Sequence, residues 1–259
     1  FNLANNHCLD KGESGIYSSL DYWAERPEAV TTGVYRNAED YADIRTVEAK
    51  GAVVSFIGIT ELTNGLSLPQ GSEAVVLLGS EEEKIEERIR QAKEISDVCV
   101  VNIHWGNEYT HVPTERQRYL AGKLSEWGAD LIIGHHPHVI QPIEYIERED
   151  GSRTLVAYSL GNFISAQDSG ARMIGGMLDV DIAVDLETGK TEFNGCRFVP
   201  IITHYDRGFA NNRLYPLEDY TEELAASHGV RAYTPDFSLD YIKNTVKNVI
   251  AAEFLTEMS

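Results

Sequence analysis

The stretch IIGHHPHV (residues 132–139) places three imidazoles, His135, His136 and His138, directly after an apolar run. Imidazole is the commonest transition-metal ligand and titrates near neutral pH, so such a cluster binds a metal, moves protons or merely packs. Two further groups of the same chemical kind lie upstream. Asn6-His7 with Asp10 offers an amide, an imidazole and a carboxylate, and His104-Trp105-Gly106 follows a second apolar run. A lone histidine at a strand end is more often a packing residue than a ligand. Three such groups at one edge of one sheet make a site.

The elements that must position them follow from periodicity. Ile16, Leu20 and Trp23 predict a helix over Gly12–Ala24, and the β-branched run AVVSFIGIT predicts a buried strand over Ala52–Thr60. Ser80 with Glu83 makes a capping-box pattern, opening a helix with Ile85, Ile89 and Ala92 on one face and ending near Ser96. DVCVVNIHWG (97–106) is a second strand. Thr114 with Gln117 caps another helix, carrying Leu120, Leu124 and Trp127 and stopped by Gly128, and DLIIG (130–134) is a third strand. Strand, helix, strand at this spacing predicts a parallel sheet with ligand groups beyond the strand C-termini, where His104 and the histidine cluster fall. A His-x-His pair on extended backbone points both rings one way. His136 and His138 should therefore converge, with Pro137 stiffening the turn, and His135 should face away, bonded to backbone.

After Val139 the pattern becomes strands without helices: VIQPIEYI (139–146), TLVAYSLGNFI (154–164), MLDVDIAVDL (177–186) and KTEFNGCRFVPII (190–202). Residues 185–190 read as a hairpin loop, so this half is expected to be antiparallel. Beyond His204 the chain reads as loop-rich, closing with an amphipathic helix over 241–255. The expected organisation is one main domain over 1–205 and a loop-rich, helical extension over 206–259.

With 41 acidic and 22 basic residues the formal charge is −19, and no basic cluster offsets it, which argues against nucleic-acid binding. No arginine cluster marks a phosphate clamp and no aromatic pair marks a nucleobase sandwich, although Tyr109 and Trp105 lie near the histidines. Cys8, Cys99 and Cys196 are far apart, which excludes a disulfide framework or a thiolate zinc site. The sequence opens on FNLANNH, read as the end of a strand entering a loop. The expectation is that the first strands of the fold, and any targeting or anchoring signal, precede Phe1.

LANNHCLD, IHWGNEY, GADLIIGHHPHVIQPIE and YSLGNF together closely resemble the bacterial CapA (PGA_cap) capsule-synthesis family, relatives of the calcineurin-like metallophosphoesterases and the 5′-nucleotidases. The resemblance runs from Asn2 to about Phe163. It implies an α/β, metallophosphoesterase-like layered β-sheet sandwich flanked by helices, lacking its N-terminal strands here. It implies Asn6, His104, His136 and His138 as metal ligands, and His7 and Asp10 as a catalytic dyad whose imidazole assists the leaving group. It implies divalent ions (Mn, Fe, Zn or Mg), two in a complete site, activating a water for in-line attack. It also implies a cell-surface or extracellular, membrane-associated setting, with capsule synthase or export membrane proteins, an anionic polymer or a phosphoester as partner or substrate.

One departure qualifies the resemblance. Family sites also use carboxylates from upstream motifs, and within this chain three imidazoles and an amide supply no negative charge. Glu61 and Glu108 are the nearby acids, and neither is expected to take their place. The leading expectation is a phosphoesterase-type hydrolase. A non-catalytic capsule-assembly subunit binding polymer or synthase is the alternative from another class, and purely structural histidines the third reading.

Overall fold

Alternation along the strand Val98–His104 decides the layering. Val98 and Val100 join one buried cluster with Leu131, Ile143 and Leu155, while Cys99, Val101 and Ile103 join another with Ile57, Ile132 and Val156. A strand apolar on both sides must be covered on both sides. The computed structural model, which describes residues 1–185 and 187–255, shows how.

The first half of the chain contains α1 (Gly12–Ala24), β1 (Val34–Tyr35), α2 (Ala38–Ala42), β2 (Arg45–Ala49), β3 (Ala52–Thr60), β4 (Val75–Val76), α3 (Glu82–Ile95), β5 (Val98–His104) and α4 (Glu115–Trp127). The second half adds β6 (Leu131–His135), β7 (Ile143–Glu147), β8 (Arg153–Ala157), β9 (Ile174–Asp185), β10 (Lys190–Asp206), β11 (Ala210–Pro216), α5 (Glu222–Ser227) and α6 (Leu239–Val249). The central sheet has the order β2-β3-β5-β6-β8-β7, and its four middle strands run parallel. Helices α3 and α4 cover one face through Ile85, Ile89, Leu120, Leu124 and Trp127. The other face is covered by the antiparallel sheet β11-β10-β9 and by α6, through Phe198, Ile202, Ile242 and Val246. The result is a layered α/β sandwich, as expected.

The capping box at Thr114 and Gln117 forms, and Gly128 ends α4 at φ 118°, a conformation that favours glycine. Such a cap contributes about 1 kcal/mol. The box expected at Ser80 and Glu83 does not form. Glu81 holds the N-cap position of α3 without capping it, because its carboxylate turns back to the Leu78 N–H at 3.2 Å and pairs with Lys84. The second half is not wholly antiparallel, since β8 joins the central sheet parallel to β6. The hairpin between β9 and β10 closes at Asp185 and Lys190, and Leu186 within its loop lies outside the described residues. The segment after His204 is not simply loop. Residues 210–216 form β11 against β10, and the register shift between His204 and Asp206 marks the bend. The last helix stops at Val249 rather than running to 255. Ile250 turns extended, and a short 3-10 turn then brings Phe254 into the core against Tyr145, ring centroids 5.7 Å apart.

Candidate metal centre

The parallel ladder aligns the chemistry. His104 ends β5 and pairs in register with His135 at the end of β6, and both follow the face carrying Val98, Val100 and Leu131. The backbone then departs from a strand. His136 and His138 adopt φ of 99° and 61°, left-handed values that cost energy for residues with a Cβ. These two rings do share a site, with centroids 6.1 Å apart, and His136 lies 4.6 Å from His104. The left-handed turn brings them there, not the period-two rule of an extended strand. Nor does His135 face away from the whole group, because its register partner is His104, whose basicity it helps to lower.

Buried contacts hold the turn. The Trp105 indole is wholly buried and donates to the Tyr158 carbonyl at 2.9 Å. Trp105 is therefore a core residue and not a contact for a ligand. Gly134 sits where a Cβ would strike that same carbonyl. Gln117, Gln141 and the Thr110 carbonyl form a buried chain of hydrogen bonds of 2.8 and 2.9 Å, which fixes the loop after β5. The Tyr109 N–H donates to the Pro137 carbonyl at 2.8 Å, docking that loop onto the histidine turn.

This docking delivers Glu108. Its carboxylate and the ring nitrogens of His136 and His138 lie within 4.8 Å of one another, a group with the donor atoms to hold a metal ion. The sequence reading discounted Glu108. Loop docking through Tyr109 is the missing link, and it is invisible in periodicity. Glu61 is occupied elsewhere, accepting from Arg116 at 3.0 Å.

Orientation is set from outside the group. Asn162 donates its amide N–H to the Arg172 carbonyl at 3.0 Å, so its Oδ1 faces His138 Nδ1 at 2.9 Å. That contact requires Nδ1–H and leaves the His138 Nε2 lone pair free, 3.6 Å from Glu108, as hydrogen bonding behind a ligand should. On the other side Asn6, 7 % exposed, places Oδ1 3.0 Å from His104 Nε2 while its amide donates to Asn64 at 3.2 Å. Asn64 also approaches His7 Nδ1 at 3.4 Å, linking the first segment to the histidines. His7 Nδ1 meets Asp10 Oδ2 at 2.8 Å, and both side chains are exposed. All six expected residues thus lie in one neighbourhood, with Asn64, Glu108 and Asn162 added to them.

Burial disfavours protonation of His104, His135 and His136. Burial, reinforced by His136 and the neighbouring imidazoles, lowers the His104 pKa to about 3; burial lowers His135 to about 4 and also lowers His136. Buried His136 Nδ1 has no hydrogen-bond partner among the described residues. An orphaned buried acceptor is costly. Neutral imidazoles with a free nitrogen, an amide oxygen and one carboxylate are a donor set that fits a divalent ion of nitrogen and oxygen preference.

Among relatives, the PGA biosynthesis protein CapA of Bacillus subtilis is 35% identical over 167 residues, covering 64% of this chain and 42% of that protein. The capsule biosynthesis protein CapA of Bacillus anthracis is 32% identical over 170 residues, covering 64% and 40%. The chain thus spans about two fifths of the length of these curated relatives. Among solved structures, a 5′-nucleotidase precursor from Thermus thermophilus superposes with a TM-score of 0.47 at 17% identity, covering 89% of this chain and 42% of that one. The NAD nucleotidase of Haemophilus influenzae gives 0.47 at 11% identity, covering 98% and 42%. These structural figures assign no chemistry. The model of the bacterial capsule synthesis protein PGA_cap family matches residues 1–167, the stretch that contains all the residues gathered here, and the chain belongs to that family.

Proposed function

We propose that this chain carries a divalent-metal site of phosphoesterase type and serves capsule synthesis or export as a metal-dependent hydrolase at the cell surface. The observation that best supports this is the convergence of Glu108, His136 and His138, whose donor atoms lie within 4.8 Å of one another. These three residues would hold one ion. Asn6 Oδ1 and His104 Nε2, 3.0 Å apart, would be this chain's donors for the second ion that the resemblance implies. A bound divalent ion supplies Lewis acidity and lowers the pKa of water toward neutrality.

The chain's own residues supply the rest. Asp10 accepts from His7 Nδ1, which leaves Nε2 as the nitrogen able to pass a proton to a leaving oxygen, and the carboxylate stabilises the imidazolium before transfer. Glu108 is exposed, and its carboxylate would be free to move toward an ion held with His136 and His138. A single carboxylate compensates the ion's charge only in part. That observation favours a second reading, a capsule-assembly subunit that binds an anionic polymer or a synthase or export protein without catalysis.

Mn titration followed by turnover of 4-nitrophenyl phosphate tests the proposal. Metal uptake with turnover is expected, and Asp10→Asn should lower turnover at least about tenfold while leaving metal content unchanged. Full metal uptake without turnover would support the binding subunit. No uptake would refute both metal readings. Among the described residues no helix is long and apolar enough to cross a membrane.

A further inference from the structure

A guanidinium stands one aromatic ring away from the candidate ligands. Tyr109 stacks on His138, centroids 5.7 Å apart and planes 24° from parallel. The Arg172 guanidinium carbon lies 3.6 Å from the Tyr109 ring centroid, well inside cation–π range. Arg172 is tied to the site a second time through its carbonyl, which accepts from Asn162, the residue that orients His138. Its 3-10 turn, Gly170–Met173, is itself pinned by the bond from the Gly170 N–H to Thr234 at 3.0 Å. A flexible surface arginine has no such bracing.

The group is also underused. Of five N–H donors, one bonds Asp168, from Nη1 at 3.1 Å, and Nε is buried without a partner among the described residues. Asp168 is largely exposed, so this ion pair is screened and weak. In a chain of formal charge −19, a braced cation beside a ligand set is an exception to the surrounding field, and a planar guanidinium suits an oxyanion.

We infer that Arg172, braced over Tyr109, receives a second oxyanion group of the substrate while the first sits at the Glu108–His136–His138 group. The substrate class is therefore a compound with at least two oxyanion groups, phosphate or carboxylate, one reaching the ligand group and the other Arg172 beside Tyr109. This inference rests on the metal reading above for the placement of the first group. Arg172 acts as a specificity residue, and Asp168 competes with the ligand for it.

Calorimetric titrations of the Mn-loaded chain test this with paired probes: methylphosphonate against methylenediphosphonate, and acetate against tricarballylate. The bis-anionic member of at least one pair should bind about tenfold more tightly than its partner. The pair showing the advantage identifies phosphate or carboxylate as the source. Arg172→Gln should abolish the advantage without altering Mn affinity or methylphosphonate binding. Asp168→Asn should enlarge it, a gain that misfolding cannot imitate. An advantage that survives Arg172→Gln, or its absence from both pairs in the native chain, overturns the inference. Failure of Mn to bind overturns the metal reading instead, and the same ratios measured without Mn then decide the role of Arg172 by the same criteria.

Discussion

Two pairs of imidazoles in this molecule have the same ring separation and opposite character. His104 and His136 lie 4.6 Å apart at the edge of the parallel sheet, and His204 and His228 lie 4.6 Å apart in the second layer. In the second pair the nitrogens are engaged. His204 Nδ1 meets the Tyr220 hydroxyl at 2.8 Å and its Nε2 lies 3.7 Å from Asp206. His228 Nε2 donates to the Thr203 carbonyl and its Nδ1 accepts from the Val230 N–H, both at 2.9 Å. In the first pair His136 Nδ1 has no partner among the described residues. Proximity of histidines therefore does not define a site. What distinguishes the two pairs is which nitrogens the fold has left unused, since buried polar groups that serve structure are satisfied.

The largest expected difference comes from truncating one member of each pair. His136→Ala should weaken Mn binding by about a hundredfold, read by calorimetry, and change unfolding in urea little, because it removes an unsatisfied nitrogen. His228→Ala should do the reverse. Mn affinity should be unchanged, while stability should fall by about 3 kcal/mol through a cavity and two orphaned backbone groups. Comparable effects of both variants on both readouts would erase the distinction.

A pH series separates the pairs on a smaller scale. Burial is the main cause that lowers the His228 pKa to about 4. The unfolded chain binds that proton near pH 6.5, so between these values the unfolded state holds more protons and stability falls as the pH falls. The loss is complete below about pH 4 and amounts to at most about 3 kcal/mol. Urea unfolding of Mn-loaded protein should show this slope between pH 6.5 and 4, and His228→Phe should reduce it by that one group's share. An unchanged slope would mean that other groups carry it.

The smallest effect is expected behind the site. Asn162→Ala removes the acceptor that fixes the His138 tautomer and should cost about tenfold in Mn affinity with no measurable change in melting temperature. A loss equal to that of His136→Ala would make Asn162 a ligand and not an orienting group.

The sequence disclosed those parts of the site that depend on period and position. The strands expected over 97–106 and 130–134 and found over Val98–His104 and Leu131–His135, the Thr114 cap and the Gly128 stop follow from apolar runs, capping chemistry and glycine's freedom, and each is local. Glu108 and Asn162 reach the site through long-range contacts, Tyr109 to Pro137 and Asn162 to Arg172, which no local pattern encodes. Asn64 left a faint signal, as the first residue of an Asn-Gly turn at φ 53°. The turn at His136 and His138 defeated the strand rule because left-handed backbone at histidine is held there by its surroundings. Strand β11 was hidden by the polar run ANNR, which pairs with β10 at the sheet edge, where one face needs no apolar residues.

Imidazoles at the edge of the parallel sheet are proposed to ligate a divalent ion. X-ray absorption at the zinc edge of the Zn-loaded chain tests it most directly, because imidazole leaves a distinctive multiple-scattering pattern. At one equivalent of zinc, nitrogen and oxygen ligation with two imidazoles on the ion is expected, reduced to one in His136→Ala. A zinc ion coordinated by oxygen alone, or a pattern unchanged by His136→Ala, would contradict it.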